Sequence, residues 1–392
     1  MARGLVWRRG AAARGVVMAV VLVAATFGTA VAARQPPSTR GSPPVEVSND
    51  GCGRGWAPRP AGPQALRLHN AGSLAAHVSI LVPATGAVVA EIEALGPGAT
   101  RVLRADLAAG TYALRCHMDG DDPVTGPRVR VHGHGPGGPA VRPVTYNDLY
   151  RPVRAYQKIV AGHLGPLVAA TDRLRDAVRD GDRDAARAAW LPAHLAYERL
   201  GGAYGAFGDL GERIDGVPAP SAADSPDFAG FHRVERGLWH GTPMAGLRGP
   251  ADRLARDVRE LRDQWPDQRV EPLDLGLRAH EIMEDTERIQ LTGQADQGSG
   301  TELATAAANL DGTRDVLRVL RPLLRTRYRG LRDLDAWLDR TGRVLDAYHH
   351  DRRWTPLDDL SRMDRQRVNG TIAGLLERLA PVAEICVPRR VS

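Results

Sequence analysis

A short Gly/Pro-rich segment divides this 392-residue chain into two regions whose apolar residues follow different periods. Residues 134–139 read HGPGGP and contain nothing that could build a hydrophobic core. Before this segment, apolar residues alternate in short runs, which is typical of half-buried strands. After it they recur at the helical spacing of three and four. The sequence therefore predicts a β region at 45–132, a linker at 133–146 and a helical region at 147–392.

The first region contains short strand-like runs separated by turn residues. Asn70-Ala71-Gly72 and Gly96-Pro97-Gly98 are typical turn sequences. Several short strands at such close spacing indicate a β-sandwich with Greek-key connections. The predicted strands are Val45–Val47, Ala65–His69, His77–Val82, Ala87–Ile92, Thr100–Leu107, Thr111–Cys116 and Arg128–His132.

The second region has the amphipathic pattern of long helices. Gly181-Asp182 separates two of them, and the sequence from Ser299 to Glu302 matches a capping box that would begin another. Many long helices in a region of this length are typical of an antiparallel bundle. Helical patterns cover about 164–178, 185–200, 250–264, 273–293, 299–324, 328–350 and 364–384.

The N-terminal residues have the pattern of an export signal. Residues 1–33 begin with arginines, continue as an apolar run and end in Ala-x-Ala, as secretory signal peptides do. An uncleaved membrane anchor is the alternative. Residues 34–44 contain four prolines and predict a flexible tether. We therefore expect the rest of the chain in the periplasm, the cell envelope or the extracellular space.

The net charge does not indicate a nucleic-acid partner. The chain has 52 basic and 46 acidic side chains, a net charge of +6. Four of the arginines lie in the leader, so the remainder carries 48 basic against 46 acidic residues. The high isoelectric point of about 9.6 therefore arises mainly from the leader, and we predict no nucleic-acid binding.

Three cysteines occur in the chain, and an oxidising compartment would permit one disulfide. Cys52 and Cys116 both fall in the predicted β region, so we predict that they pair. Cys386 is left over near the C-terminus.

A second metal site in the β region is the alternative use of Cys116. Cys116-His117-Met118 offers the ligand types of a blue-copper centre, and His77 lies upstream. Three consecutive side chains do not readily converge on one ion, which favours the disulfide. A site with His77, Cys116 and His117 stays open as the competing hypothesis.

The helical region contains a candidate metal site. His232 and Glu235 are three residues apart, so their side chains share one face of a helix and both can ligate a cation. Spacing alone favours a surface ion pair or a buried hydrogen bond over a metal site. Glu198 lies in an otherwise apolar stretch and Asp215 follows Ile214. Acids buried in a bundle cost several kcal/mol unless they are paired or bind a cation, which favours a metal site.

The segment 280–284 reads HEIME and bears on whether the protein is a zinc-dependent protease. It begins like the zinc-protease motif H-E-x-x-H but has Glu284 in place of the second histidine. Glu281 and Glu284 are further candidate ligands. A metal-dependent peptidase or hydrolase, or an envelope scaffold without metal, are the alternatives to a binding protein.

An ordered series of segments resembles the imelysin-like domain of the EfeO and EfeM family of bacterial iron-uptake proteins. The β region likewise resembles the N-terminal cupredoxin-like domain of that family. The resembling segments are 193–200, 207–215, 230–239, 279–288 and 299–324.

The resemblance implies a non-enzymatic protein that captures iron, as Fe²⁺ or Fe³⁺, with Zn or Mn as alternatives. It implies delivery to a membrane iron permease and, as a further partner, a haem peroxidase. Copper in the β domain is not expected, because the sequence diverges from the family around His77 and Cys116. The ligands that the resemblance implies are His232, Glu235, Glu198 and Asp215, joined by Glu281 or Glu284.

Overall fold

The computed structural model describes residues 43–57, 59–218, 225 and 228–388. The predicted signal peptide, at 1–33, lies outside the described residues, as does the predicted tether up to residue 42. In the part of the chain that is described, no helix combines the length and the apolar character needed to cross a bilayer.

The described part of residues 43–132 forms two β-sheets. One sheet has the strand order β2-β1-β4-β7, and the other has the order β3-β10-β8-β5-β6 with β9 beside β8. The strands are β1 (Val45–Val47), β2 (Cys52–Arg54), β3 (Arg59–Pro60), β4 (Gly62–Asn70), β5 (Ala76–Val82), β6 (Ala87–Leu95), β7 (Thr100–Leu107), β8 (Gly110–Met118), β9 (Val124–Thr125) and β10 (Val129–His132).

The two sheets share one hydrophobic core. Leu66 and Leu68 of β4 and Val78 and Ile80 of β5 alternate along their strands and are fully buried, as expected when one face of each strand packs inward. A disulfide of 2.05 Å joins Cys52 on β2 to Cys116 on β8 and so connects the two sheets.

The rest of the described chain is mainly helical, which confirms the predicted fold class of a β region followed by a helical bundle. One continuous core runs through the helices. They are α1 (Tyr146–Asp180), α2 (Arg183–Glu198), α3 (Asp209–Asp215), α4 (Gly230–Trp239), α5 (Met244–Gln264), α6 (Pro272–Asp285), α7 (Glu302–Leu324), α8 (Leu331–Asp346) and α9 (Arg362–Ile385).

Two helix boundaries differ from the sequence prediction. The helix predicted to reach Gly293 ends at Asp285 and continues as a π-helical turn, Thr286–Gln290. The predicted capping box does not form, because α7 begins at Glu302, after Thr301. The hydroxyl of Ser299 donates instead to Asp296 and stabilises the loop before the helix.

The segment between the two regions contacts both of them. Val141 pairs with Val88 of β6, and the guanidinium of Arg327 donates to the carbonyl oxygens of Arg142 and Pro143 at 2.9 and 3.3 Å. The domain boundaries stay a prediction, because these contacts do not test whether either region folds alone.

Candidate metal centre

Helices α2 and α4 are held together by hydrogen bonds from side chains to backbone. Arg183 and Arg187 of α2 both donate to the carbonyl oxygen of Leu238, near the C-terminus of α4, at 2.7 and 2.8 Å. These guanidinium groups satisfy carbonyls that have no partner within the helix and complement its negative end. Trp190 donates to the carbonyl oxygen of Phe231 at 3.0 Å, which fixes the other end of the contact.

A glycine at the start of α4 brings α3 and α4 close together. Gly230 has a φ of +77°, and a Cβ atom there would lie 2.2 Å from the carbonyl oxygen of Ile214. Only glycine fits this approach. Because Asp215 directly follows Ile214 and His232 lies two residues after Gly230, the close contact brings the two side chains near each other.

Two imidazoles and two carboxylates converge between these helices. His194 Nε2 lies 3.2 Å from Glu198 Oε1 and 3.3 Å from Asp215 Oδ1. His232 Nε2 lies 3.7 Å from the same oxygen of Asp215. One ligand atom from each of His194, Asp215 and His232 lies within 4.8 Å of the others. We call these four residues, His194, Glu198, Asp215 and His232, the metal cluster.

The atoms that face each other in the cluster do not satisfy one another. Both ring nitrogens of His194, Nε2 of His232 and Oδ1 of Asp215 are buried without a well-directed hydrogen bond. Buried polar atoms in proteins are nearly always paired, so several unpaired ones at one point need a reason. A cation bound at the common centre would satisfy Nε2 of His194, Nε2 of His232 and Oδ1 of Asp215 together, and imidazole with carboxylate is a donor set suited to such an ion. Nδ1 of His194 lies on the other side of the ring and would not contact that ion.

Glu235 is buried beside the cluster but points to His232 instead of the centre. Its Oε2 lies 3.1 Å from His232 Nδ1. Its Oε1 accepts from the backbone N–H groups of Gln297 and Ser299 at 3.0 and 3.1 Å. This contact orients the ring and leaves Nε2 directed at Asp215, as the outer partners of metal-bound histidines do.

The carboxylates raise the affinity of the histidines for protons. Burial alone would lower the pKa of His194, but Asp215 and Glu198 outweigh it and raise the pKa to about 10. The pKa of His232 is raised in the same way, chiefly by Asp215 and Glu235. Without a metal, the negative charge of the carboxylates therefore favours the protonated form of both histidines.

The pKa values of the buried carboxyl groups are shifted in different directions, depending on their surroundings. Burial raises the pKa of Asp215 in spite of the two histidines. The pKa values of Glu198 and Glu235 are lowered, because their contacts with His194 and His232 outweigh burial.

A cavity of about 330 Å³ reaches the cluster from one side. Tyr204 donates from its hydroxyl to Glu198 Oε2 at 3.4 Å, at the wall of this cavity. The side-chain amide of Asn309, oriented to satisfy both its partners, donates to the same oxygen at 2.8 Å. Glu198, Asp215 and His232 all line the cavity, so an ion could reach them from outside.

The structure brings together four of the six predicted residues of the helical site: His232, Glu235, Glu198 and Asp215. It does not bring Glu281 or Glu284 to the cluster. Glu281 accepts from Arg278 at 3.0 Å. Glu284 lies 3.5 Å from both His280 and Arg288, so both acids have partners on their own helix or its extension.

His194 is the cluster residue that the sequence reasoning missed. It precedes Glu198 by four residues, so the two side chains share one face of α2. This H-x-x-x-E spacing inside an apolar stretch was the signal that could have identified it.

In the structure, the residues of the alternative metal site in the β region have other contacts. Cys116 is in the disulfide and offers no thiolate. His77 Nε2 lies 3.1 Å from Glu91 Oε2, and His117 is its register partner on the neighbouring strand. Among the described residues, the one group of three or more His, Cys, Asp or Glu with the spacing for a metal is His194, Asp215 and His232.

Several known proteins are similar to this chain in sequence. Iron uptake system component EfeO of Yersinia pseudotuberculosis is 29% identical over 325 residues, covering 82% of this chain and 84% of its own. Its counterpart in Escherichia coli O157:H7 is 28% identical over 298 residues, or 75% and 78% of the two chains.

A crystal structure from Parabacteroides distasonis, described as an iron-regulated protein A precursor, superposes with a TM-score of 0.50 at 12% identity. It covers 62% of this chain and 96% of its own, and it shows a shared fold. The sequence profile of imelysin (peptidase M75) matches residues 152–382, which include the whole metal cluster. The chain belongs to the imelysin family.

Proposed function

We propose that this protein binds iron as its cargo at the metal cluster and acts as a component of an iron-uptake system. The observation that carries the proposal is the convergence of two imidazoles and two carboxylates in a buried cleft with unpaired atoms at its centre. The similarity to proteins named as iron uptake system components supports iron as the cargo.

The donor set restricts the ion by its chemistry. Imidazole nitrogen and carboxylate oxygen suit Fe²⁺, Mn²⁺ and Zn²⁺, and the carboxylates also suit the harder Fe³⁺. His194, Glu198, Asp215 and His232 supply the ligands in this proposal, and Glu235 holds the ring of His232. Because Glu198, Asp215 and His232 line the cavity, the ion enters and leaves the cluster through it in this proposal.

The proposal extends to the location and the partners of the protein. Residues 1–33 direct export, residues 45–132 and 147–392 form separate domains, and iron passes from the cluster to a membrane permease. A haem peroxidase is the further partner. We propose binding instead of hydrolysis, and this choice rests on the names of the curated relatives, although the family name includes a peptidase class.

Titration of the purified protein with Fe²⁺ under anaerobic conditions tests the proposal. The double variant His194→Ala/His232→Ala should lose the binding, since it removes both nitrogen ligands. The double variant His77→Ala/His117→Ala removes the same residue types from the β region and should bind as the wild type does. Circular dichroism checks that each variant is folded. Unchanged stoichiometry and affinity in a folded cluster variant would contradict the proposal.

A further inference from the structure

A second, much smaller cavity lies beside His194 of the metal cluster. Its volume is about 10 Å³, which leaves room for one water molecule, because a single water needs about 10–15 Å³ of free space. The described residues that line it include His194 but neither Glu198 nor Asp215, the carboxylates that Nε2 of this ring faces. The edge of the ring that carries Nδ1 therefore borders the small cavity.

Two residues that line this small cavity have a buried polar atom without a hydrogen-bond partner among the described residues. The atoms are Nδ1 of His194, on α2, and Oε2 of Glu302, the first residue of α7. Glu302 is only 7% exposed, so bulk water does not solvate its carboxylate freely. Nδ1 can donate a hydrogen bond and the carboxylate oxygen accepts one, which is the pairing that a single bridging water satisfies. Thr301 and Thr305 also line the cavity, and their hydroxyls can supply the further hydrogen bonds of a buried water, about three in all.

The other histidine of the metal cluster shows what a partner at Nδ1 does. Nδ1 of His232 lies 3.1 Å from Oε2 of Glu235, and its Nε2 faces Asp215. His194 divides its two nitrogens in the same way, with Nε2 towards the cluster and Nδ1 away from it. Trp190 stacks on the ring of His194, with centroids 4.7 Å apart, but stacking does not decide which nitrogen carries the hydrogen. An acceptor at Nδ1 does decide it, because it keeps the hydrogen there and leaves Nε2 free for a cation.

We propose that the small cavity binds one water molecule, which accepts a hydrogen bond from Nδ1 of His194 and donates one to Oε2 of Glu302. Through this water, Glu302 is a positioning residue for His194, as Glu235 is for His232. The positioning role rests on the proposed metal binding, whereas the water itself does not. Nδ1 carries a hydrogen both in the doubly protonated ring and in a ring whose Nε2 binds a metal, so the water is expected with and without iron.

A crystal structure of the metal-free protein, at a resolution that shows ordered waters, tests the water site. We expect electron density for one water within about 3.2 Å of both Nδ1 of His194 and Oε2 of Glu302. A cavity without such density, or a direct hydrogen bond between the two side chains, would overturn the proposal. The result does not depend on iron, so it separates a failure of this inference from a failure of the proposed function.

Calorimetric titration with Fe²⁺ tests the positioning role of Glu302. The variant Glu302→Leu should weaken iron binding by about tenfold, because it removes the acceptor that holds the water on His194. Glu302→Gln should bind nearly as the wild type does, since its amide oxygen can still accept from the water.

Glu284→Leu is the matched control, because it makes the same substitution beside His280, outside the metal cluster. Circular dichroism checks that each variant is folded. Wild-type affinity in Glu302→Leu, an equal loss in Glu284→Leu, or no rescue by Glu302→Gln would overturn the positioning role. A wild-type protein that binds no iron would instead contradict the proposed function, and the crystal structure would still decide whether the water is bound.

Discussion

The β region and the helical region bury different kinds of polar side chain. In the β region, the buried polar side chains among the described residues are neutral: Gln64, Asn70 and Ser79. In the helical region they include the ionisable His194, Glu198, His232 and Glu235. Burying a charge costs several kcal/mol unless it is compensated. Among the described residues, only the helical region carries this cost. Among the described residues, the buried ionisable groups are therefore concentrated in the helical region.

Buried acids within the helical region also differ from one another. Asp315 is almost inaccessible, and it pairs with Arg199 and Arg318 at 2.8 and 2.6 Å. Arginine is always charged, so this acid is neutralised permanently. In the described residues, Glu198 and Asp215 have only histidines as cationic partners. Histidine can release its proton to make way for a metal, which is the property that distinguishes the cluster from Asp315.

Removing the disulfide should produce the largest loss of stability and should affect only the β region. The variant Cys52→Ser/Cys116→Ser opens a loop of 64 residues, and a loss of about 2–5 kcal/mol is expected for a native disulfide in a small domain. Urea unfolding followed by circular dichroism measures the loss. Iron affinity should stay unchanged, and a parallel fall in affinity would show that the two regions are not separate in their roles.

The variant Asp215→Asn should weaken iron binding by about a hundredfold, or about 2.7 kcal/mol. Among the described residues, Asp215 is the one carboxylate within ion-pair distance of both histidines, so its loss removes a ligand and the charge that holds the rings. Calorimetric titration with Fe²⁺ measures the effect. Glu281→Gln is the matched control, because its carboxylate contacts Arg278 outside the cluster. Equal effects in the two variants would place the site elsewhere.

A smaller effect is expected from Glu235→Gln, which should weaken iron binding by about tenfold through the orientation of His232. The amide can still accept from Gln297 and Ser299, so the loop keeps one partner. Glu284→Gln provides the comparison, since Glu284 lies near His280 and Arg288. A loss as large as that of Asp215→Asn would instead make Glu235 a direct ligand.

Iron affinity should rise with pH by up to about tenfold per pH unit from pH 7 towards pH 10. The raised pKa of His194, about 10, means that the metal-free protein holds a proton there at neutral pH, and iron must displace it. The stability of the metal-free protein should change with pH in the opposite direction to the iron affinity. The raised pKa stabilises the metal-free protein fully below the ordinary histidine pKa of about 6.5, and this contribution is lost as the pH rises through 10.

Calorimetric titration with Fe²⁺ in buffers of different ionisation enthalpy measures the number of protons released for each iron ion bound. An affinity that does not change between pH 7 and pH 9 would show that no proton is displaced from His194.

The sequence predicted the fold class well because the hydrophobic periodicity and the Gly/Pro-rich linker both indicated the same two regions. Alternating and helical periods were cleanly separated by the Gly/Pro segment, and the strand Val45–Val47 and the strand Thr100–Leu107 have the predicted bounds. The helix ends were less accurate. The segment from Ser299 to Glu302 matches a capping box, but the hydroxyl of Ser299 donates to Asp296, three residues earlier, and α7 begins after Thr301. Serine and aspartate side chains make such local hydrogen bonds in competition with helix caps.

The site could be predicted only where its residues are neighbours on one helix. His232 and Glu235 are three residues apart, and that spacing was visible. The position of His194 opposite them depends on the packing of α2 against α4, which hydrogen bonds from Arg183, Arg187 and Trp190 of α2 stabilise. The same limit explains Glu281 and Glu284: the sequence placed them on a helix but could not show which way that helix faces.

The most direct measurement is anomalous X-ray diffraction at the iron edge from crystals of the iron-loaded protein. The account predicts an anomalous peak between Nε2 of His194, Nε2 of His232 and the carboxylate oxygens of Asp215 and Glu198. A well-occupied iron peak at any other place, with these side chains hydrogen-bonded to one another, would contradict it.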